Sequence, residues 1–447
     1  MAATAGAVTC ARGAAFDEIL AAVDCGSNCT RLLVCHVEQP GKLSQDGGMR
    51  LTRFTSMGEG LGDGGGELTP DALRRTVDVL REYRAVVDGK VHGQGIDGGE
   101  RPPRTMRVRM RAVATSAARR AKNCDSFLAA AQAALGSVRP DVISGEEEAR
   151  LSFLGAVSGL DPAMGPFLVV DMGGGSTELA FGPAPGPETC PGSETGPEPG
   201  PTVSGSGSNC CDNGVTIQAA VQDRDPGPIA HSSVRPESAD SEEVGRSRST
   251  GFPDDAVAGP EDGPEPVPGS TVWSHRGSGN GWDPHSGPRV IESVEIGTVR
   301  LTERFLKSDP PTAEELRACH VAALGCFREV LKRRPVFAQA RTIIGVAGTA
   351  STLAAMGMEM VTYDRTRVHL SKLTRGTVRR VFDQIKGIPT ADRVGIPGLE
   401  KGREDVIVAG CVIVLALMEA LGSDTWLASD CDLLDGIVLD LLRRDRQ

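Results

Sequence analysis

Two segments of the chain carry a carboxylate, glycines and small polar side chains at the end of an apolar run. Residues 21–34 read AAVDCGSNCTRLLV, residues 168–181 read LVVDMGGGSTELAF, and the two align without a gap at an offset of 147. Glycines let backbone N–H groups approach a ligand, and N–H groups clustered in a turn bind anions such as phosphate. We therefore interpret the pair as two phosphate-binding turns. The side chains that add neutral hydrogen-bond donors are Ser27, Asn28, Ser176 and Thr177.

Each turn follows an aspartate, Asp24 in the first copy and Asp171 in the second. A carboxylate next to a phosphate is repulsive unless a cation lies between them. Mg²⁺ suits this place, because it binds through one or two carboxylates together with phosphate oxygens and water. The sequence thus predicts a cation site at Asp24 and Asp171 for Mg²⁺, with Mn²⁺ as the alternative.

Two further segments bear on the same chemistry. Residues 144–150 read SGEEEAR and place three glutamates in the first turn of a predicted helix. Either they stabilise the helix dipole or one of them is a general base for a water that attacks phosphorus, and the spacing favours neither. Residues 345–351 read GVAGTAS, follow an apolar strand and open a helix, which is typical of an anion site or of a tight packing turn.

Strands and helices alternate along the chain, which indicates the α/β class. The predicted strands are Ile19–Val23, Arg31–Val37, Val108–Ala114, Phe167–Val170, Glu178–Phe181, Val290–Ile296 and Thr342–Val346. The predicted helices are 70–88, 125–135, 146–158, 312–333, 350–358, 374–386, 403–421 and 432–443. Because both copies of the repeat read strand, turn, strand, we expect two similar lobes with a cleft between them.

The stretch 183–288 differs in composition from the rest. It holds 17 prolines and 17 glycines in 106 positions, with 16 acidic against 5 basic residues. This composition predicts disorder, because too little apolar surface is present to offset the entropy of ordering. The net charge of the whole chain, −11, resides in this insert, so the remainder is formally neutral.

Composition and charge exclude several classes of protein. With a net charge of −11 we expect no DNA partner. No apolar run approaches the about 18 residues of a membrane span and no secretory signal is visible, so we expect a cytoplasmic protein without a membrane partner. The 12 cysteines are scattered without a C-x-x-C pair, and we interpret them as reduced, with a redox-sensitive thiol at Cys25 or Cys29 as the alternative.

Seven segments occur in the same order as in one known family. They are VDCGSN, ATSAARR, SGEEEARLSFLG, VVDMGGGSTEL, IGTVRLTERFL, GVAGTAST and the helix that opens with RED at 403–405. Through them the chain resembles the exopolyphosphatase and guanosine pentaphosphate phosphohydrolase (Ppx/GppA) family over residues 17–182 and 289–445. Because it ends soon after the segment SDCDLLDG at 429–436, we expect it to be similar to the short, two-domain form.

The resemblance implies two ribonuclease-H-like lobes of the actin/hexokinase/Hsp70 superfamily around a central cleft, with a long disordered insert. We expect lobe I at 17–155 and lobe II at 156–182 and 289–447, and leave open whether the last helix returns to lobe I. The acidic insert is then 183–288, and residues 1–16 form a flexible tail.

The resemblance also implies a role for each matching residue. Glu148, directly before Ala149, matches the family's general base. Asp171 matches the metal-binding carboxylate, and Asp24 is expected to support the same cation. The substrate-binding residues expected from the turns and the resemblance together are Ser27, Asn28, Arg119, Gly173, Gly174, Gly175, Ser176, Thr177, Glu178 and Arg403.

The activity implied by the resemblance is hydrolysis of a phosphoanhydride. The leading prediction is a Mg²⁺-dependent exopolyphosphatase that releases orthophosphate from the end of inorganic polyphosphate. The close alternative is a pppGpp 5′-phosphohydrolase, and an alternative of another class is a sensor that binds polyphosphate or a nucleotide without turnover. A sugar or acetate-type kinase of the same superfamily is less favoured, because such kinases lack SGEEEAR. A homodimer is left open.

The acidic insert generates a hypothesis of autoinhibition. Because it follows the second phosphate turn in sequence, its charge is expected to repel a polyanionic substrate. Deletion of 183–288 then raises kcat/KM for polyphosphate at low salt, measured as phosphate release. Unchanged kinetics of the deletion variant would contradict the hypothesis.

Overall fold

The computed structural model describes residues 18–39, 42–44, 48–62, 65–91, 107–183 and 287–444, which form two sheets and the helices around them. The first sheet contains β1 (Glu18–Cys25), β2 (Cys29–Gln39), β3 (Lys42–Leu43), β4 (Met49–Phe54), β5 (Arg107–Ala114) and β6 (Asp141–Val142). The second contains β7 (Phe167–Met172), β8 (Thr177–Gly182), β9 (Val290–Val294), β10 (Thr342–Val346), β11 (Ser371–Thr374) and β12 (Thr425–Ala428). The helices are α1 (Pro70–Val91), α2 (Ser116–Arg120), α3 (Cys124–Ala134), α4 (Gly145–Val157), α5 (Thr298–Phe305), α6 (Ala313–Arg333), α7 (Ala347–Gly357), α8 (Arg365–Val368), α9 (Arg375–Ile385), α10 (Ile407–Leu421) and α11 (Leu433–Arg444).

The two sheets are built on the same plan. The first runs β3-β2-β1-β5-β6, with β4 on the free side of β2, and the second runs β11-β12-β10-β7-β8-β9. In each, an antiparallel hairpin (β1–β2 or β7–β8) is continued by a parallel strand, β5 or β10. The α/β class predicted from the sequence is confirmed.

The sequence repeat is also a repeat of hydrogen bonds. In the first hairpin the N–H of Gly26 donates to the carbonyl of Cys29 at 3.0 Å. In the second, the N–H of Gly173 donates to the carbonyl of Ser176 at 3.0 Å. Both pairs are related by the offset of 147, so the ungapped alignment holds for individual atoms of the turns.

Strand β1 is buried on both faces because helices cover both sides of the first sheet. Its side chains alternate between two apolar clusters. Ile19 packs with residues of α1 and α3, whereas Leu20 packs with residues of α11 such as Ile437. Helix α11, near the end of the chain, therefore covers the first sheet although it follows the last strand of the second.

Helix α4 reaches its position through close contact with α11. A Cβ atom added at Gly155 would lie 2.0 Å from the carbonyl oxygen of Asp432, and one added at Gly436 would lie 1.9 Å from that of Leu151. Only glycine allows the two backbones to approach so closely. This contact, together with packing against the second sheet, holds α4 in one place.

Two helix starts compare with the sequence prediction in different ways. Thr69 Oγ1 accepts the N–H of Ala72 at 3.2 Å, which confirms the predicted N-cap of α1. The helix predicted from residue 403 instead begins at Ile407, because residues 403–406 form a turn in which the carbonyl of Arg403 accepts the N–H of Val406 at 3.1 Å.

Helix α10 spans 15 residues and is apolar on nearly every side, since it is packed against α5, α6 and α9. Across the described ranges, no helix combines the length and apolar character that crossing a membrane requires.

The predicted acidic insert leaves and re-enters the body at one edge of the second sheet. Phe181 pairs with Val290, and the N–H of Arg289 donates to the carbonyl of Phe181 at 2.7 Å. At about 3.3 Å per residue, this end of β8 lies roughly 13 Å from the end that follows the glycine turn. The predicted flexible tail and nearly all of the insert lie outside the described residues.

Candidate active site

The two glycine turns meet over a cavity of about 60 Å³. At about 10–15 Å³ for each water-sized group, this is room for roughly four such groups, about the number of oxygens on a terminal phosphate. A Cβ atom added at Gly174 would lie 3.3 Å from the backbone nitrogen of Asn28, and one added at Gly175 would lie 2.9 Å from Oγ of Ser27. The two turns therefore pack closely at these glycines, with little room for a side chain. The turn residues that line the cavity are Gly26, Ser27, Asn28, Gly173, Gly174, Gly175 and Ser176.

Asp24 and Asp171 end the strands that lead into the turns, and both line the cavity. Oδ2 of Asp24 accepts hydrogen bonds from Nε and Nη2 of Arg31 at 3.0 and 2.7 Å. Oδ1 of Asp24 is buried and has no hydrogen-bond partner among the described residues. Asp171 accepts a hydrogen bond from the hydroxyl of Ser152. The two carboxylates thus face one space, and one of their oxygens is left without a partner.

Three buried polar atoms at this cavity have no hydrogen-bond partner within the described part of the chain. They are Oδ1 of Asp24, Nδ2 of Asn28 and Oγ of Ser116. Leaving such atoms unpaired is costly, so a cluster of them indicates a place where a ligand supplies the partners. One acceptor beside two donors fits a cation together with an anion.

The hairpins differ at the residue opposite the aspartate. Asp24 pairs with Arg31 in the first, and Asp171 pairs with Glu178 in the second. Arg31 lines the cavity and is absent from the residues predicted above. The repeat contained the signal, because the offset of 147 aligns Arg31 with Glu178. Ser116 was also missed, although it lies within the ATSAARR segment.

Arg31 connects Asp24 to a second carboxylate, that of Asp432 just before α11. Burial alone would raise the pKa of Asp432, but Arg31 and Arg50 outweigh burial and lower it. Asp432 is therefore ionised, and the charge of Arg31 is shared between two carboxylates. Asp24 is left short of positive charge, in line with its pKa, which burial raises despite Arg31.

The three glutamates at the start of α4 have three different surroundings. Oγ of Ser144 caps the helix by accepting the N–H of Glu147 at 3.2 Å. Glu146 is exposed, and Glu147 binds Arg150 at 2.7 Å. Glu148 is 7% exposed and lines the cavity. Of these three glutamates, Glu148 is therefore the one that lies at the cavity, and it is the one that the family resemblance matches to a general base.

Arg119 binds the carboxylate of Glu148. Its Nη1 donates to Oε2 of Glu148 at 2.7 Å and to the carbonyl of Ile143 at 3.0 Å. Its Nη2 donates to Oγ of Ser176 at 3.5 Å and lies 3.9 Å from Oε1 of Glu178. Arg119 therefore stands between two carboxylates, and it orients the first of them towards the cavity.

Burial shifts the protonation of these acids. It raises the pKa of Glu148, with Arg119 opposing and the nearby Asp171 adding to the rise. It raises the pKa of Glu178 well above its ordinary value, because Glu148 and Asp171 add their repulsion. It raises the pKa of Asp171 to about 6, against the hydrogen bond from Ser152. A carboxyl group whose pKa is displaced towards neutrality suits proton transfer at physiological pH.

Arg403 enters the cavity from the turn that precedes α10. Its guanidinium lies against Gly348, where an added Cβ atom would be 1.6 Å from Nη2. Ala347 and Thr349 of the GVAGTAS segment line the same cavity. The segment that the sequence left between two interpretations therefore lies beside the phosphate turns.

Most of the predicted site residues reach the cavity. Those that line it are Asp24, Ser27, Asn28, Glu148, Asp171, Gly173, Gly174, Gly175, Ser176 and Arg403. Arg119 and Glu178 lie behind Glu148. Thr177 does not reach it: the residue is fully buried, and its Oγ1 donates to the carbonyl of Ile296 at 2.6 Å. We therefore correct the assignment of Thr177 from substrate binding to holding β8 against the segment after β9.

The donor set at the cavity fits Mg²⁺ better than a metal held entirely by the protein. No group of three or more His, Cys, Asp or Glu side chains in the described ranges is arranged to hold a metal ion. Two carboxylates, Asp24 and Asp171, nevertheless face the cavity, and Mg²⁺ usually keeps several waters and takes substrate phosphates as ligands. The unpartnered Oδ1 of Asp24 is the atom best placed for such a cation.

The eight described cysteines are free thiols. Burial raises the pKa of Cys25 and of Cys29. A redox-sensitive thiol usually has a lowered pKa, so these surroundings favour the interpretation of Cys25 and Cys29 as reduced, unreactive thiols.

Comparison with known proteins shows the family of the chain. The model of the Ppx/GppA phosphatase family matches residues 45–190 and 281–445. The chain belongs to the Ppx/GppA phosphatase family. It is 30% identical over 433 residues to a protein named exopolyphosphatase 2 from Mycobacterium tuberculosis, covering 94% of this chain and 98% of that one.

Solved structures of the family have the same fold. A Ppx/GppA family member from Aquifex aeolicus is 26% identical, with a TM-score of 0.59 over 96% of this chain and 99% of that one. An exopolyphosphatase-like protein is 27% identical, with a TM-score of 0.62 over 95% and 99%. The Ppx/GppA fold implied by the resemblance is thus confirmed, with two sheets built on the same plan.

The raised pKa of Glu178 predicts a gain in stability when its charge is removed. At a pH below the ordinary pKa of a glutamate, Glu178 is neutral in both the folded and the unfolded chain. As the pH rises towards the pKa of Glu178 in the folded chain, this residue ionises first in the unfolded chain, so the free energy of unfolding falls. Glu178→Gln therefore raises Tm at pH 8, by about 2–4 °C for about 1 kcal/mol, and leaves Tm at pH 4 nearly unchanged. Differential scanning fluorimetry without metal or phosphate measures this.

The matched control is Glu67→Gln, which changes an exposed carboxylate and leaves Tm unchanged at both pH values. A lower Tm for Glu178→Gln at pH 8 would show that the ionised carboxylate is stabilising.

Proposed function

We propose that the protein is a Mg²⁺-dependent exopolyphosphatase, which hydrolyses the terminal phosphoanhydride of inorganic polyphosphate and releases orthophosphate. The observation that carries the proposal is the convergence of unpartnered atoms of Asp24, Asn28 and Ser116 on a phosphate-sized cavity that Glu148 also faces. Family membership and the name of the mycobacterial relative support it.

The mechanism assigns a task to each wall of the cavity. The donors of the turns and the guanidinium of Arg403 bind oxygens of the terminal phosphate. Asp24 and Asp171 would hold Mg²⁺, which when bound neutralises phosphate oxygens as charge develops in the transition state. Arg31, which lines the cavity, and Arg119, which lies outside its lining, hold the carboxylates in place through hydrogen bonds.

Glu148 acts on the water. Its carboxylate orients a water molecule and takes one proton from it as the oxygen attacks the terminal phosphorus. The bond from water oxygen to phosphorus forms while the bridging P–O bond breaks, and the electron pair leaves with the shortened chain. The proton passes from Glu148 to the leaving oxygen or to solvent, which returns the carboxylate to its starting state.

Phosphate release with Mg²⁺ from short polyphosphate, long polyphosphate and pppGpp, measured in parallel, tests the proposal. Glu148→Gln keeps the size and removes the base, so turnover falls by about 10²–10⁴. Glu146→Gln, on the same helical turn but exposed, is the matched control and retains wild-type turnover. Equal activity of Glu148→Gln and wild type would remove the base assignment, and absence of release by the wild type would favour a sensor.

A second candidate, hydrolysis of pppGpp, is favoured by a larger cavity beside the first. It encloses about 680 Å³ and shares Arg31, Gly348 and Arg403 with the phosphate cavity. Its lip carries Val361 and Tyr363, which are 93% and 49% exposed. An apolar and aromatic lip next to a phosphate site fits a ligand with a planar group behind its phosphates.

Five arginines and three carboxylates line this larger cavity among the described residues. Arginines on its wall are paired with carboxylates, as in Arg365 with Asp430 at 2.5 Å and Arg403 with Glu400 at 2.6 Å. Arg50 is paired in the same way with Asp435. These pairs neutralise part of the positive charge that a continuing polyphosphate chain would use, whereas a nucleoside needs little.

Tyr363 separates the two substrates. Its ring is available for stacking on a base, so Tyr363→Ala raises KM for pppGpp by about 5–50-fold, as expected for loss of one stacking contact. KM for short polyphosphate stays unchanged. Tyr363→Phe, which keeps the ring and loses the hydrogen bond to Asp430, is the control and behaves as wild type. Equal effects of Tyr363→Ala on both substrates would exclude a base-binding role.

A further inference from the structure

Phe54 brings the first sheet into contact with an arginine of the phosphate cavity. It is the last residue of β4 and pairs with Cys29, directly after the first glycine turn. The guanidinium carbon of Arg403 lies 5.2 Å from the centroid of the Phe54 ring, within the range of a cation–π contact. Phe54 was not among the predicted residues, because its partner is distant in sequence.

The backbone around Arg403 is shaped to this ring. Gly402 has a φ of +97°, and a Cβ atom added there would lie 2.5 Å from the ring of Phe54. Glycine is therefore required at 402 for conformation and for space. On the cavity side, Gly348 leaves room for the guanidinium, as described above. The guanidinium is thus held between an aromatic ring of one lobe and the backbone of the other.

Arg403 has a second contact. Its Nε donates to Glu400 at 2.6 Å, and the Glu400 side chain is 42% exposed. The Arg403 side chain is 9% exposed, and a cation–π contact strengthens when it is shielded from water. Phe54 therefore covers one face of the guanidinium, while Glu400 accepts from its Nε.

We propose that Phe54 is a positioning residue that holds Arg403 in place for binding substrate phosphate. The proposal rests on the proposed function in one respect, that Arg403 binds a phosphate oxygen. Arg403 would bind it equally in the ground state and in the transition state. Loss of Phe54 then weakens binding and leaves the chemical step unchanged, which is a rise in KM with kcat unaltered.

The test uses the full chain with Mg²⁺ and short polyphosphate. Phe54→Leu, which keeps an apolar side chain and removes the ring, raises KM about 3–10-fold with kcat within about twofold of wild type. Phe54→Tyr keeps the ring and restores the wild-type KM. In the Arg403→Ala background, Phe54→Leu has no further effect, because the partner is absent.

The matched control is Phe305→Leu. On α5, outside both cavities, the guanidinium carbon of Arg304 lies 5.1 Å from the centroid of the Phe305 ring. Loss of the Phe305 ring therefore leaves KM unchanged. The proposal is overturned if Phe54→Leu raises KM equally with and without Arg403, or if it lowers kcat instead. Calorimetric Kd values for inorganic tripolyphosphate, in a Glu148→Gln background that prevents turnover, give the same comparison independently of hydrolysis. A wild type that binds tripolyphosphate without releasing phosphate defeats the proposed function, while the Kd series still decides the role of Phe54.

Discussion

Burial of several acids around one small cavity is the constraint on which the rest of the site depends. Four acidic residues, each at most 7% exposed, lie there: Asp24, Glu148, Asp171 and Glu178. The described arginines that contact them are Arg31 and Arg119. Since an unbalanced buried charge costs several kcal/mol, the group favours either bound protons or an added cation. The cavity of the resting protein therefore attracts positive charge.

Several contacts of the fold hold these four acidic side chains close to one another. Two hairpins of identical turn geometry supply one aspartate each, and the contact of α4 with α11 through Gly155 and Gly436 fixes the helix that carries Glu148. Arg31 and Phe54 then attach the first sheet to segments from the end of the chain. The geometry of the cavity is thus set by contacts between distant parts of the sequence rather than by any single motif.

The difference between local motifs and contacts of distant segments explains what could be predicted from the sequence. The turns, the two aspartates and the glutamate triplet were visible because each is a local pattern. Arg31 was not predicted, although the repeat aligns it with Glu178. Phe54 could not be predicted, because β4 is a half-exposed strand and Arg403, which Phe54 contacts, lies near the other end of the chain. Glu148 was chosen among its neighbours through the family resemblance, because the spacing of the three glutamates favours none of them; the structure adds that Glu148 is the one of the three that lines the cavity. The error at Thr177 arose because a hydroxyl next to a phosphate turn can bind the backbone instead.

The point at which the acidic segment joins the body has a consequence for how such proteins diversify. A Cβ atom added at Gly182 would lie 3.1 Å from Cα of Pro288, so the two ends of the segment meet as closely as the ends of a tight hairpin. Because closing a flexible loop costs only about 0.6 kcal/mol for each doubling of its length, the paired strands tolerate almost any connection there. The edge of this sheet is therefore an insertion site. Whole domains can be exchanged there, by evolution or by protein engineers, without disturbing the folded hydrolase.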